Sequence, residues 1–133
     1  MASAGQPAGL TDSDILIDAS HHLPDAVAFL AAQRAARAIT ISIISAMELI
    51  VGCRNKAELT RVRQFLQQVS IVPIGPSASQ TAYQLMDSYF LSHGLLIADS
   101  LIAATAMERG LTLYTKNTRH LQMIPRLTAV RPY

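Results

Sequence analysis

The sequence predicts an α/β fold, with a central, mostly parallel β-sheet of about five strands flanked by helices on both faces. Two observations carry that prediction. Short β-branched runs alternate with helical stretches along the whole chain, the order that parallel strands joined by crossover helices require. Half of the 133 residues are hydrophobic and only 15% are charged, enough apolar surface for one sizeable core and too little length for two domains.

The elements follow in order. Ile15-Leu16-Ile17 is a short apolar run among acidic residues and reads as a strand end leading into a turn. Pro24 opens a helix over 25–37, with Val27, Leu30 and Ala31 at helical spacing. The β-branched run 39–44 reads as a buried strand, and Ser45 as the cap of a short helix ended by Gly52. Leu59, Val62, Leu66 and Val69 share one face of a further helix, opposite Arg61, Arg63, Gln64 and Gln67. Ile71-Val72-Pro73-Ile74 is a third strand whose proline marks an edge or an early end. Ser77 and Gln80 form a capping-box pattern for a helix that buries Ala82, Leu85, Met86 and Tyr89 and stops at Gly94. Another helix begins near Asp99 and ends at Gly110; strands at 111–114 and 127–130 complete the sheet.

The bulk features narrow the function classes. Residues 1–9 are small and polar and read as a flexible tail, leaving 10–133 as the domain; they lack the pattern of a signal peptide. No apolar run approaches the roughly 18–20 residues of a membrane span. Cys53 is the single cysteine, so no disulfide forms within the chain; this fits a cytoplasmic protein, with Cys53 as a small core residue. Nine of the eleven basic residues are arginine, whose planar fork suits phosphate, although no basic run forms a patch. Arg34, Arg37, Arg119 and Arg126 are candidate phosphate contacts, against ordinary surface solvation.

The carboxylates carry the chemistry. Asp25, Glu58, Asp87 and Glu108 fall on polar helix faces and read as solvated. Glu48 does not: it lies just after a buried strand, within Ile43-Ile44-Ser45-Ala46-Met47-Glu48-Leu49-Ile50-Val51, where an ionised carboxylate calls for a cation. Asp99 repeats that setting and doubles as a possible N-cap. Asp12 and Asp14 precede the first apolar run and Asp18 follows it; on a continuous strand all three share a face, and either Asp12 or Asp14 is a candidate ligand. Acidic residues thus recur beside three separate elements of one sheet. Hard oxygen donors suit Mg²⁺ or Mn²⁺. The four histidines have no HExxH spacing, and phosphate-binding glycine loops and serine-hydrolase elbows are lacking. What remains is metal-assisted attack of water on a phosphodiester.

Four segments together resemble the PIN-domain ribonucleases, in the form of VapC-type toxins of toxin–antitoxin pairs. Thr11-Asp12-Ser13-Asp14-Ile15-Leu16-Ile17-Asp18 is similar to their opening motif, 41–52 to the second acidic motif, 97–106 to the third, and Tyr114-Thr115-Lys116-Asn117-Thr118-Arg119-His120 to the fourth, a T-x-[ND] turn after a strand. The resemblance implies a PIN-like fold, Mg²⁺- or Mn²⁺-dependent cleavage of RNA, a homodimer and a cognate VapB-type antitoxin. Residue by residue it implies Asp12, Glu48 and Asp99 as metal ligands and, with Asn117, as the catalytic set, supported by Thr115. Asn117 stands where the family has aspartate or asparagine, and removes one negative charge. The chain departs from the family in 8–11, which is less apolar than the usual first strand, and in Ala19-Ser20-His21-His22, where a basic residue is frequent.

Two other readings compete. Asp12-Ser13-Asp14 has the D-x-D form of haloacid-dehalogenase-like phosphatases, but that leaves Glu48 unexplained. A PIN-fold module with a weak or inactive site that binds RNA or an antitoxin is the non-enzymatic alternative. His120 reads equally as a site residue or a cap, and Tyr83, Tyr89 and Phe90 as core or dimer interface.

Overall fold

The computed structural model describes residues 8–133. Positions 1–7 of the expected tail lie outside the described residues, and Gly9 already belongs to the first strand. The elements are β1 (Gly9–Thr11), α1 (Ser13–Ser20), α2 (Pro24–Ala36), β2 (Thr40–Ser42), α3 (Ile43–Val51), α4 (Lys56–Leu66), β3 (Ser70–Val72), α5 (Pro76–His93), α6 (Ile97–Arg109), β4 (Thr112–Tyr114) and β5 (Ala129–Val130). All strand pairs are parallel. β4 lies between β1 and β5, β2 pairs with β3, and β1 packs beside β2, so the strand layer runs β3-β2-β1-β4-β5. The expected five strands are present, hydrogen-bonded as two sheets rather than one.

From β1 the chain builds outward through β2 and β3, then crosses back to place β4 and β5 on the other side. The direction of winding therefore switches beside β1, where open parallel sheets present a crevice at their carboxyl ends. Both faces are covered. Leu113 and Tyr114 are neighbours on β4 and point to opposite sides: Leu113 joins Leu10, Ala82, Leu85, Ile102 and Ala106 beneath α5 and α6, while Tyr114 joins Ile15 of α1 and Phe29 of α2. Each fully buried Leu or Ile in these layers contributes about 1.5–3 kcal/mol.

Three expectations about element boundaries are corrected. Ile15-Leu16-Ile17 is not a strand; it is the middle of α1. Asp12 is the N-cap, its carboxylate accepting the Ser13 amide at 2.7 Å, and Asp14 sits in the first turn, where the helix dipole favours a negative charge. The first strand is the preceding Gly9-Leu10-Thr11. The run 39–44 yields only three strand residues because Ser42, not Ser45, caps α3: its hydroxyl accepts the Ser45 amide at 2.9 Å. The capping box at Ser77 is not formed. α5 starts at Pro76, and its Ala78 amide donates to the Glu108 carboxylate of α6 at 3.2 Å, so one of the carboxylates assigned to solvent acts as a cap between helices.

The weakly apolar first strand has a local explanation. A Cβ at Gly9 would lie 2.2 Å from the Tyr114 ring, which occupies the space over β1 that a side chain would otherwise fill. The ring then meets Phe29 edge-on at 5.0 Å.

Candidate active site

Four elements deliver side chains to the crevice at the carboxyl ends of β1, β2 and β4. Asp12 follows β1, Glu48 lies on α3 one and a half turns after β2 ends, Asp99 is in the first turn of α6, and Thr115-Lys116-Asn117 follows β4. Asp12, Ser13, Asp14, Glu48, Leu96, Asp99, Lys116 and Asn117 line a cleft of about 420 Å³. All four residues expected to form the catalytic set therefore meet in one place.

Thr115 organises the floor. Fully buried, it donates its hydroxyl to Asp12 Oδ2 at 2.8 Å, lies 3.3 Å from Asp14 Oδ2 and accepts the Asn117 amide at 3.0 Å. Asp12 itself is buried, held between Thr115 and the Ser13 amide. Ser13 turns its hydroxyl to Glu48 Oε1 at 2.8 Å, joining α1 to α3. Asn117 Nδ2 donates to Asp99 Oδ2 at 3.3 Å. Asp99 is the third residue of α6 and makes no capping bond, so the N-cap role considered for it is not taken and its carboxylate faces the cleft. Glu48 is half-buried and, among the described residues, has no cationic partner.

The electrostatics of this cluster are unfavourable by themselves. Burial, then the adjacent Asp14 charge, push Asp12 up to about 7 despite its hydrogen bonds from Thr115 and Ser13. Burial raises Asp14 as well, and burial followed by the charges of Glu48 and Asp14 raises Asp99, with His120 opposing. Asp14 Oδ1 is buried without a hydrogen-bond partner. An all-oxygen donor set, mutual repulsion and an orphaned carboxylate oxygen fit a hard divalent cation. Among the described residues no three acidic, histidine or cysteine side chains close into a cage. An open site of one or two carboxylates, with retained waters, is the arrangement that suits Mg²⁺.

Ser13 and Lys116 are cleft residues that the sequence does not single out. Asp14, a candidate ligand as an alternative to Asp12 on a continuous strand, joins Asp12 in the cleft. Its helical position is signalled by Asp12-Ser13-Asp14 read as a cap and first turn. Arg34, Arg37, Arg119, Arg126 and His120 are exposed and none lines the cleft. Tyr89 packs on the core, whereas Tyr83 and Phe90 are exposed. Cys53 is half-buried, its thiol on the Leu49 carbonyl at 3.4 Å.

The strand order and the acidic cleft define a parallel α/β protein whose candidate site is built from carboxylate side chains at the switch point of its sheet. The chain belongs to the PIN-domain family, which it matches over residues 10–125, and within it to the VapC-type proteins. It is 36% identical over 122 residues to Ribonuclease VapC10 of Mycobacterium tuberculosis, covering 89% of each chain. A chain of a toxin–antitoxin complex from Klebsiella pneumoniae superposes with a TM-score of 0.78 at 30% identity, covering 95% of this chain and 98% of that one. A chain of the DNA-bound VapBC complex of Salmonella typhimurium shares the fold, with a TM-score of 0.79 at 21% identity over 96% and 100% of the two chains. Among the described residues no helix is long and apolar enough to cross a membrane.

Proposed function

We propose that this protein is a metal-dependent endoribonuclease, the toxin of a toxin–antitoxin pair. The observation that carries the reading is the convergence of Asp12, Asp14, Glu48 and Asp99 on one cleft with raised proton affinity at three of them, a charge arrangement that calls for a cation. The identity to a protein named as a ribonuclease supports the substrate class. Asp12, Glu48 and Asp99 would hold Mg²⁺ or Mn²⁺, one or two of them directly and the rest through retained waters, with Asp14 Oδ1 a further acceptor. The ion, when bound, supplies charge neutralisation and an activated water at a phosphodiester.

The chain's own residues do the positioning. Thr115 fixes the Asp12 carboxylate and the Asn117 turn with a single hydroxyl, and Ser13 sets the Glu48 rotamer. Asn117 orients Asp99 while adding no charge of its own. The antitoxin expected from the related complexes would be a VapB-type partner, and the exposed Tyr83, Phe90 and Leu91 of α5 supply apolar surface for a homodimer. A cytoplasmic location is part of the same reading.

Mn²⁺-dependent cleavage of a panel of structured RNAs tests this. The wild-type protein is expected to cut, and Asp12→Asn and Asp99→Asn to lose at least a hundredfold in rate. A wild type that binds RNA but cuts none of it would leave the binding-module reading in its place; mutants that cut equally well would overturn the assignment of the site.

A further inference from the structure

Lys116 is held at three of its atoms by groups that do not belong to the acidic floor alone. Its amide donates to Asp14 Oδ2 at 2.9 Å, its ammonium pairs with Asp18 Oδ2 at 2.6 Å, and its carbonyl accepts from the Arg131 guanidinium at 3.2 Å. Asp14 and Asp18 stand four residues apart on one face of α1, so the helix takes the backbone of Lys116 with one carboxylate and its side chain with the next. The Tyr133 hydroxyl donates to the same Asp18 oxygen at 2.7 Å. Asp18 is held firmly ionised by the hydrogen bonds from Lys116 and Tyr133.

The consequence lies in where Lys116 stands. It is the one cationic residue lining the cleft among the described residues, beside Asp12, Asp14, Glu48 and Asp99. A free ammonium on a flexible stem would be drawn to the four carboxylates that line the cleft and would occupy the place of a divalent cation. The bridge to Asp18 gives it a competing anion outside the cleft.

We infer that Asp18, supported by Tyr133, is a tether that keeps the Lys116 ammonium out of the acidic cleft and so leaves the cleft open to a divalent metal. Asp18 is thereby a positioning residue with no ligand contact of its own. The inference rests on the metal-binding reading of the site.

Titration calorimetry of the full chain with Mn²⁺ alone tests it, beside thermal unfolding with and without Mn²⁺. Asp18→Asn is expected to weaken Mn²⁺ binding roughly tenfold, because a released positive charge sits within a few ångströms of the site. Lys116→Met, of similar length and uncharged, is expected to bind Mn²⁺ at least as tightly as wild type. The double variant Asp18→Asn/Lys116→Met is expected to return within about threefold of wild type, since the unleashed charge is gone. A bridge that merely braces the Asn117 turn predicts the opposite: Lys116→Met weakens binding and the double variant is no better than Asp18→Asn. That result overturns the tether. Should Asp18→Asn fail to fold, Tyr133→Phe, which removes one of Asp18's two partners, is expected to give a smaller loss in the same direction, reversed by Lys116→Met; no loss would overturn the proposal. If wild type binds no Mn²⁺, the metal reading of the site falls and the tether with it; if wild type binds and Asp18→Asn binds equally, only the tether falls.

Discussion

Replacing Asp12 by asparagine is expected to stabilise the metal-free protein at pH 8 while abolishing its activity. Asp12 is buried and rises from 3.8 to about 7 on folding, so the folded state holds a proton that the unfolded state releases. The sign follows. The favourable contribution of the protonated carboxyl is fully present below pH 3.8, declines as pH rises and is lost above about 7, where the folded state must carry the charge. At about 1.4 kcal/mol per tenfold change in proton affinity, the ceiling on that loss is ~4 kcal/mol. Asparagine escapes the charge but accepts less strongly from Thr115 and the Ser13 amide, which takes back about half. The net expectation is a gain of about 2 kcal/mol at pH 8 that crosses zero near pH 5 and becomes a loss of about 2 kcal/mol near pH 4, read by urea unfolding in chelator at several pH values. With saturating Mn²⁺ the order reverses, because only wild type binds the ion tightly. A destabilised Asp12→Asn at pH 8, or a difference independent of pH, would refute the claim that repulsion and burial dominate this site.

Three other substitutions probe the supporting parts. Thr115→Val keeps the shape of a fully buried side chain but strands Asp12 Oδ2 and the Asn117 amide; a loss of about 2 kcal/mol in unfolding free energy is expected, together with activity. Asn117→Asp exchanges a donor to Asp99 for a fifth repelling carboxylate at the floor's edge, so calorimetry should show Mn²⁺ affinity rising several-fold while stability in chelator falls by about 1 kcal/mol. Glu108→Ala removes the acceptor for the Ala78 amide at the start of α5 and should cost about 1 kcal/mol without changing the cleavage rate at saturating RNA, since Glu108 does not line the cleft.

Much of the fold is legible before any coordinates, for reasons visible in particular residues. Ala82, Leu85 and Tyr89 recur at helical spacing and do face the core, and Pro73 does end β3 early. The segment that defeats the period argument is the shortest one with chemistry in it. Ile15-Leu16-Ile17 is equally apolar on both faces of a strand and in a short buried helix, and over three residues the two periods cannot be separated. Misplacing it as a strand puts Asp12, Asp14 and Asp18 on one face. In the helix Asp12 caps, Asp14 enters the floor and Asp18 reaches the far side of Lys116. Glu48 and Asp99 are recognisable because apolar neighbours make an unpaired carboxylate conspicuous. The contacts of Ser13 and Lys116 are not, because they join residues 35 to about a hundred positions apart and ordinary polar side chains advertise no partner.

The Tyr114 ring lying over Gly9 makes the two positions a single unit of sequence change. The apolar volume that the first strand lacks is lent to it by the fourth, across the junction whose carboxyl ends carry Asp12 and Thr115. A relative with a bulky residue at the equivalent of position 9 must therefore carry a smaller or differently directed one at the equivalent of 114. Grafting the first strand of such a relative onto this chain without its partner would splay β1 from β4, and with them the two halves of the active site.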